Sequence, residues 1–281
     1  MSSKKPATLL FGTAGTPRGS LKGTSVSGIE RIRDVGLGCM ELEFVRGVKM
    51  GEKSAKSVHE KADKMNVGLS VHAPYYINLN SAEPEKLDAS IGRIYAASRI
   101  GSLCGARSIV FHPAYYQDDT SERVQEKVSV ILKTLTARLD DEGIDAVLRP
   151  ETTGKPTQFG SLNETLLLAS EIERVLPCID FAHLHARSNG AENSYEEFCK
   201  VLAIVEETLG KEALCDMHMH VSGIEYGEKG ERNHLNLEDS DLKYAELLRA
   251  LKDFQVKGLI ICESPDNEGD ALLLQRTFAS L

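Results

Sequence analysis

The sequence predicts an α/β protein whose parallel strands close into a (β/α)8 barrel, and three observations carry that reading. Short runs rich in Val, Ile, Leu and Phe recur about every 30 to 40 residues. Amphipathic stretches separate them. The runs are apolar at consecutive positions rather than at alternate ones, which suits a parallel sheet buried on both faces. A chain of 281 residues exceeds the usual domain size, yet a barrel of this class reaches it as one unit, so residues 1–281 are expected to form a single domain. A doubly wound open sheet is the alternative.

Eight candidate strands follow in order: "ATLLFG", "CMELEFV", "VGLSVHAP", "RSIVFHP", "DAVLRPE", "CIDFAHLH", "ALCDMHMH" and "GLIICES". Between the third and fourth, Leu87, Ile91, Ile94, Ala97, Ile100 and Leu103 repeat at three- and four-residue spacing, the mark of a helix face. Val124, Val128, Ile131, Leu135 and Leu139 do the same between the fourth and fifth. "DALLLQRTFASL" closes the chain as a helix. "FGTAGTPRGS" lacks the G-K-[S/T] ending and the dinucleotide spacing of phosphate loops, and reads as the connection after the first strand.

Composition narrows the class. No apolar run approaches the roughly 18 residues of a membrane span, and the N-terminal apolar stretch is too short for a secretory signal, so a cytoplasmic protein is expected. Six cysteines are scattered without a C-x-x-C pair, consistent with reduced thiols in apolar surroundings. A formal charge of −9 argues against broad nonspecific nucleic-acid binding but leaves room for a local basic groove or bound cations.

The titratable residues gather at one end. His72 ends the third strand, His112 the fourth and Glu151 the fifth; Asp180, His183 and His185 fall in or after the sixth; His218 and His220 end the seventh and Glu263 the eighth. In "LCDMHMHVSG", Asp216, His218 and His220 occupy alternate positions and so share one strand face. Barrels of this class place their chemistry at the C-terminal rim, so six consecutive strands deliver His, Asp or Glu to one mouth. Mixed imidazole and carboxylate donors suit zinc, manganese or iron, and so many of them imply at least two ions. Clustered ions of that kind most often serve phosphoryl-ester hydrolysis. His218 and Asp216 lie deeper than His220 and are expected to support it, as is His185 near its neighbours; His59, in a polar helix, is expected at the surface.

Taken together, "VHAPYYINL", "GARSIVFHP", "PETTGKPTQFGS", "CIDFAHLHARSNG" and "ICESP" resemble, in order, the motifs of the endonuclease IV family of apurinic/apyrimidinic endonucleases, a branch of the xylose-isomerase-like barrels. The resemblance implies a zinc-dependent DNA-repair enzyme that cuts 5′ to an abasic site by attack of a metal-bound hydroxide, with Glu151 orienting it. It assigns one zinc to His72, His112 and Glu151, and a second to Glu151, Asp180, His220 and Glu263. A third zinc would take His183 and His234, with manganese as a substitute metal. Arg46 and the pair Tyr75 and Tyr76 match residues that enter DNA beside the flipped nucleotide; Tyr115 and Tyr116 form a second pair able to face a groove. The implied partner is abasic DNA, and the implied state a monomer.

The sequence departs from the family pattern around the third ion. In "GEKGERNHLNL", Arg232 stands two before His234, a cation where the family has an acidic ligand. Glu231 is the nearest carboxylate and could replace it only through a shift of register. Two other readings follow from these departures: a one-metal sugar isomerase or epimerase of the same superfamily, and a noncatalytic binder of damaged DNA.

Overall fold

The structure, a computed structural model that describes residues 6–281, bears out the barrel. In chain order it runs β1 (Leu9–Ala14), α1 (Ser25–Asp34), β2 (Cys39–Glu43), α2 (Glu52–Met65), β3 (Gly68–His72), α3 (Pro84–Leu103), β4 (Ser108–Phe111), β5 (Ala114–Tyr115), α4 (Ser121–Asp141), β6 (Val147–Pro150), β7 (Gln158–Phe159), α5 (Leu162–Glu171), β8 (Cys178–Asp180), α6 (Phe181–Arg187), α7 (Tyr195–Leu209), β9 (Met217–Val221), β10 (Gly223–Gly227), β11 (Gly230–Leu235), α8 (Tyr244–Asp253), β12 (Gly258–Cys262) and α9 (Asn267–Ser280). Short 3-10 turns precede β9 and follow β11. Eight strands form one parallel sheet in the order β6-β4-β3-β2-β1-β12-β9-β8. Parallel bridges Leu148–Val175 and Glu151–Cys178 join its two edges and close the ring. No helix among the described residues is long and apolar enough to cross a membrane.

Local signals explain the helix limits. Thr24 and Thr120 cap α1 and α4 by accepting from backbone amides three residues on. Ser161 with Glu164, and Ser194 with Glu197, form capping boxes at α5 and α7. Pro84 begins α3, where its missing N–H costs nothing.

Two expected strands differ in detail. "CIDFAHLH" is extended only to Asp180, whose side chain accepts from the His183 amide and starts α6. "ALCDMHMH" opens as a 3-10 turn, and extension begins at Met217. The expected eight helices are nine among the described residues, because the segment after β8 breaks into α6 and α7 where Asn189 and Gly190 take positive φ of 51° and 90°. The two hairpins, β5 with β7 and β10 with β11, were not read from the sequence.

Outward residues of the strands pack beneath the helices in one large apolar core that includes Met40, Leu42, Val71, Ile109, Met219 and Ile260. The barrel interior is divided. Leu10, Cys39, Leu259 and Ile261 form an apolar cluster on the β1–β12 side. Towards β3, β6, β8 and β9 the lining is polar: Ser70, Arg149, Cys178, His218 and His220 are all nearly or wholly buried. Arg149 holds the floor, donating to Ser108 Oγ, the Pro177 carbonyl, and both the backbone and side-chain oxygens of Asp216 at 3.0 to 3.1 Å.

Candidate metal centre

Parallel strands end together, so the last residues of β3 and β8, the penultimate residue of β9 and the first residues beyond β4, β6 and β12 meet above this polar half. The meeting point is Glu151. One of its oxygens, Oε2, lies 3.1 Å from His72 Nε2 and 3.0 Å from His112 Nε2. The other, Oε1, lies 3.1 Å from His220 Nδ1 and 3.4 Å from His183 Nδ1. A single carboxylate thus divides between two groups of donors. His72, His112 and Glu151 bring ligand atoms within 4.8 Å of one another, as do Glu151, Asp180, His220 and Glu263; either set could hold a metal ion.

Neighbouring groups orient these donors. His72 Nδ1 lies 2.7 Å from the Ala73 carbonyl and donates to it, which turns Nε2 to within 3.1 Å of Glu151 Oε2. His234 Nδ1 lies 3.1 Å from the Glu263 carbonyl, which leaves its Nε2 free. Asp180 spends Oδ1 on the His183 amide at 2.7 Å, while its buried Oδ2 has no hydrogen-bond partner. A fully buried carboxylate oxygen without a partner is costly, and a cation would satisfy it.

Electrostatics reflect the crowding. Burial alone would raise Glu151, but His112 and His220 beside it hold it well below the usual carboxylate range. Burial would lower His72; Glu151, Glu43 and Glu41 outweigh it and push the imidazole up to about 10. Glu43 is pushed up to about 8 by burial, with Glu41 and Glu263 adding and His72 opposing.

Position 232 resolves through a β-bulge. Glu225 pairs with Asn233, but Tyr226 pairs with Glu231, so Arg232 is one residue too many on β11. Side chains alternate along a strand, and the extra residue resets the alternation. His234 and Glu231 therefore both face inward while Arg232 faces out. Glu231 Oε2 reaches 3.1 Å from His183 Nε2, and the Arg232 side chain, 61% exposed, sits 3.4 Å from Glu225. The backbone locks this arrangement: the Glu231 amide donates to the Gly154 carbonyl at 3.1 Å, and Glu231 covers Gly154, where a Cβ would meet its Oε2 at 2.2 Å. The register shift required of the sequence is built into the hairpin.

Other expectations fall out plainly. Tyr75 and Tyr76 are 43% and 68% exposed, and the Tyr75 ring packs tilted against His72 at 5.1 Å and His112 at 5.8 Å. Arg46 is exposed after β2, beside a cavity of about 360 Å³ that Ser25, Glu43, Phe44 and Lys49 also line. Tyr116 does not face a groove: its hydroxyl donates to Glu164 at 2.8 Å, whereas Tyr115 is 41% exposed. His59 is a surface residue beside Asp63, and His185 is buried against Asp241 and Tyr226, outside the barrel interior. The sequence reading places β2 but does not name Glu41 and Glu43, which that strand turns inward. The signal is the alternation of Glu with apolar residues in "CMELEFV".

Comparison with known proteins bears on the family and the fold. The family described as xylose isomerase-like TIM barrel matches residues 29–280. An uncharacterized protein of Methanocaldococcus jannaschii is 46% identical over 97% of this chain and 98% of its own. The probable endonuclease 4 of Mycoplasma pneumoniae is 28% identical over 72% of this chain and 69% of its own. Among solved structures, endonuclease IV from Thermus thermophilus superposes with a TM-score of 0.71 at 19% identity, covering 96% of this chain and 98% of that one. A D-tagatose 3-epimerase-like protein gives 0.70 at 19% identity, covering 96% of each chain.

Proposed function

The chain belongs to the xylose isomerase-like TIM barrel family, and from that premise we propose that it is a zinc-dependent phosphodiesterase that incises DNA 5′ to abasic sites. The observation that carries the reading is the division of Glu151 between two donor sets, His72 with His112 on one side and Asp180, His220 and Glu263 on the other. A bridged pair of ions, zinc or in its place manganese, would polarise a phosphodiester and supply a nucleophile near neutral pH. His183, Glu231 and His234 would hold a third. The fit rests on the donor chemistry: imidazoles with one nitrogen tied to a carbonyl, and a buried Asp180 oxygen that lacks a partner.

The remaining residues bind and orient. Glu151 fixes the spacing of the two donor sets, because both its oxygens are engaged within a buried pocket. Tyr75, packed at a tilt against two of the imidazoles, and the exposed Tyr76 would face the opened duplex, and a base can stack on such a ring. Arg46 and Lys49 supply local positive charge at a cavity that Glu43 connects to the mouth, which a chain of net charge −9 needs in order to meet phosphate.

The test is incision of a labelled duplex carrying one abasic analogue, beside an intact control, by zinc- and manganese-loaded protein. Cleavage on the 5′ side of the lesion alone is the expected result. Intact DNA under every metal condition would overturn it. A second reading, a sugar epimerase using one ion, draws on the fact that Glu151, Asp180, His220 and Glu263 converge as a set of four without help from His72 or His112. A content near one ion per chain, with turnover of a ketose, would establish that reading instead.

A further inference from the structure

We propose that the barrel holds a further ion beneath the mouth, in an inner site built from Cys178, His218 and His220 and faced by Glu41, and that its occupant is a thiolate-binding divalent cation of the zinc type. The inference rests on the mouth being a metal centre but not on what that centre cleaves.

Donor placement comes first. Ligand atoms of Cys178, His218 and His220 lie within 4.8 Å of one another. Cys178 and His218 are register partners on β8 and β9, so both side chains enter the interior at one level. Glu41 arrives from β2, three strands round the sheet, and brings Oε2 to 3.1 Å from His218 Nε2 and Oε1 to 2.9 Å from His220 Nε2.

The second observation is that these atoms lack the hydrogen bonds their burial demands. The four side chains are at most 1% exposed. Both ring nitrogens of His218, Nε2 of His220 and Oε1 of Glu41 have no partner in hydrogen-bond geometry, although Glu41 stands within reach. Ser70 donates a well-formed bond to Glu41 Oε2 at 2.7 Å, and His220 is bonded on its other face, through Nδ1 to Glu151 Oε1 at 3.1 Å. Nitrogens and oxygens that approach closely without aligning are left able to turn to a shared cation. One sulfur and two imidazoles form a three-donor set of the kind zinc accepts, with Glu41 facing both imidazoles, and sulfur disfavours magnesium or calcium.

His220 links the two levels. Its Nδ1 faces Glu151 and Glu263 at 3.1 and 3.4 Å, and its Nε2 faces Glu41. With the mouth filled, inner binding replaces two protons, one from Cys178 Sγ and one from the His220 ring. Both leave to solvent as the M–S and M–N bonds form. The competing arrangement has Glu41 simply accepting from the two imidazoles, with no bond to sulfur.

Cobalt(II) distinguishes them. The protein loaded with cobalt should show, besides the visible bands of ions held by nitrogen and oxygen, a near-ultraviolet charge-transfer band from thiolate. Cys178→Ser should lose that band and one ion per chain, and Glu41→Gln should weaken inner binding by roughly 10- to 100-fold, the usual effect of removing a supporting carboxylate. Zinc-edge X-ray absorption on the unmodified protein provides a check that needs no variant: a sulfur neighbour at about 2.3 Å is expected. Visible bands without the thiolate band, or a zinc environment of nitrogen and oxygen alone, would overturn the inner site and leave the mouth standing. Absence of all cobalt bands would remove both.

Discussion

Glu231 and Arg232 are adjacent in sequence, yet the bulge predicts opposite consequences for their loss. The Arg232 side chain is 61% exposed and its one close carboxylate, Glu225, is 45% exposed at 3.4 Å. Exposed pairs of this kind contribute little, so Arg232→Ala should leave both stability and the number of bound ions nearly unaltered. Glu231 is 19% exposed and stands 3.1 Å from His183 Nε2. Loss of even a supporting residue at a metal site typically costs 10- to 100-fold in affinity, or about 1.4–2.8 kcal/mol. Glu231→Gln should therefore lower the affinity of one ion by at least that factor while the others stay bound. Titration against a chromophoric chelator, which resolves ions by affinity, reads both quantities. Deleting Asn233 sharpens the test, since Glu231 would then stand two before His234 in a regular strand and should keep its inward face. An Arg232→Ala protein that loses an ion, or a Glu231→Gln protein that keeps its full complement at unchanged affinity, would refute the argument from the bulge.

Further outcomes follow from the same geometry. Glu151→Gln should abolish incision and weaken both donor sets at once while circular dichroism shows the barrel intact; retained turnover would remove Glu151 from its proposed place. Stripping the ions should lower the melting temperature, because ligands that bind only the folded state at about 100-fold above Kd add about 2.7 kcal/mol, and scanning calorimetry before and after chelation measures the difference. Arg149→Ala leaves a buried charge network without its centre and should destabilise the fold by about 3–5 kcal/mol in urea. Burial would raise Glu164, but donors from Ser121, Gly160, Ser161 and Tyr116 hold it below its ordinary value. Its contribution is therefore present above the unfolded carboxylate pKa and disappears as pH falls through the depressed one. Glu164→Gln should accordingly flatten the acid limb of the stability profile, which melting curves between neutral and acidic pH would reveal.

Much of this was legible in the sequence because parallel strands that end together convert sequence position into spatial position. His72, His112, Glu151, Asp180, His220 and Glu263 each close or follow an apolar run, and a closed barrel leaves those ends only one place to meet. What stayed hidden depends on pairing rather than on order. The face of Glu231 is set by one unpaired residue in a hairpin whose partner strand must be known first. The break of α6 from α7 turns on backbone angles at Asn189 and Gly190 that a polar stretch does not announce. Tyr116 looked like a groove residue until Glu164, 48 positions away, proved to hold its hydroxyl.

Glu41 shows where the physics leads beyond pattern. In barrels of this class the interior is ordinarily filled by layers of branched apolar side chains, and here half of it is: Leu259 and Ile261 do so on β12. In the other half, Glu41 is fully buried and kept well below the usual carboxylate range against the pull of burial, chiefly by His220 and His218. An apolar residue in its place would fill the same space without desolvating a charge, so packing alone gives no reason for a carboxylate. The reason must lie in what Glu41 faces, namely the far side of the His220 ring whose near side looks into the mouth. Glu41→Leu is then the informative substitution. If the fold is unchanged or more stable while ion affinity falls, Glu41 serves the metal centre; if stability collapses with affinity intact once refolded, it serves the core.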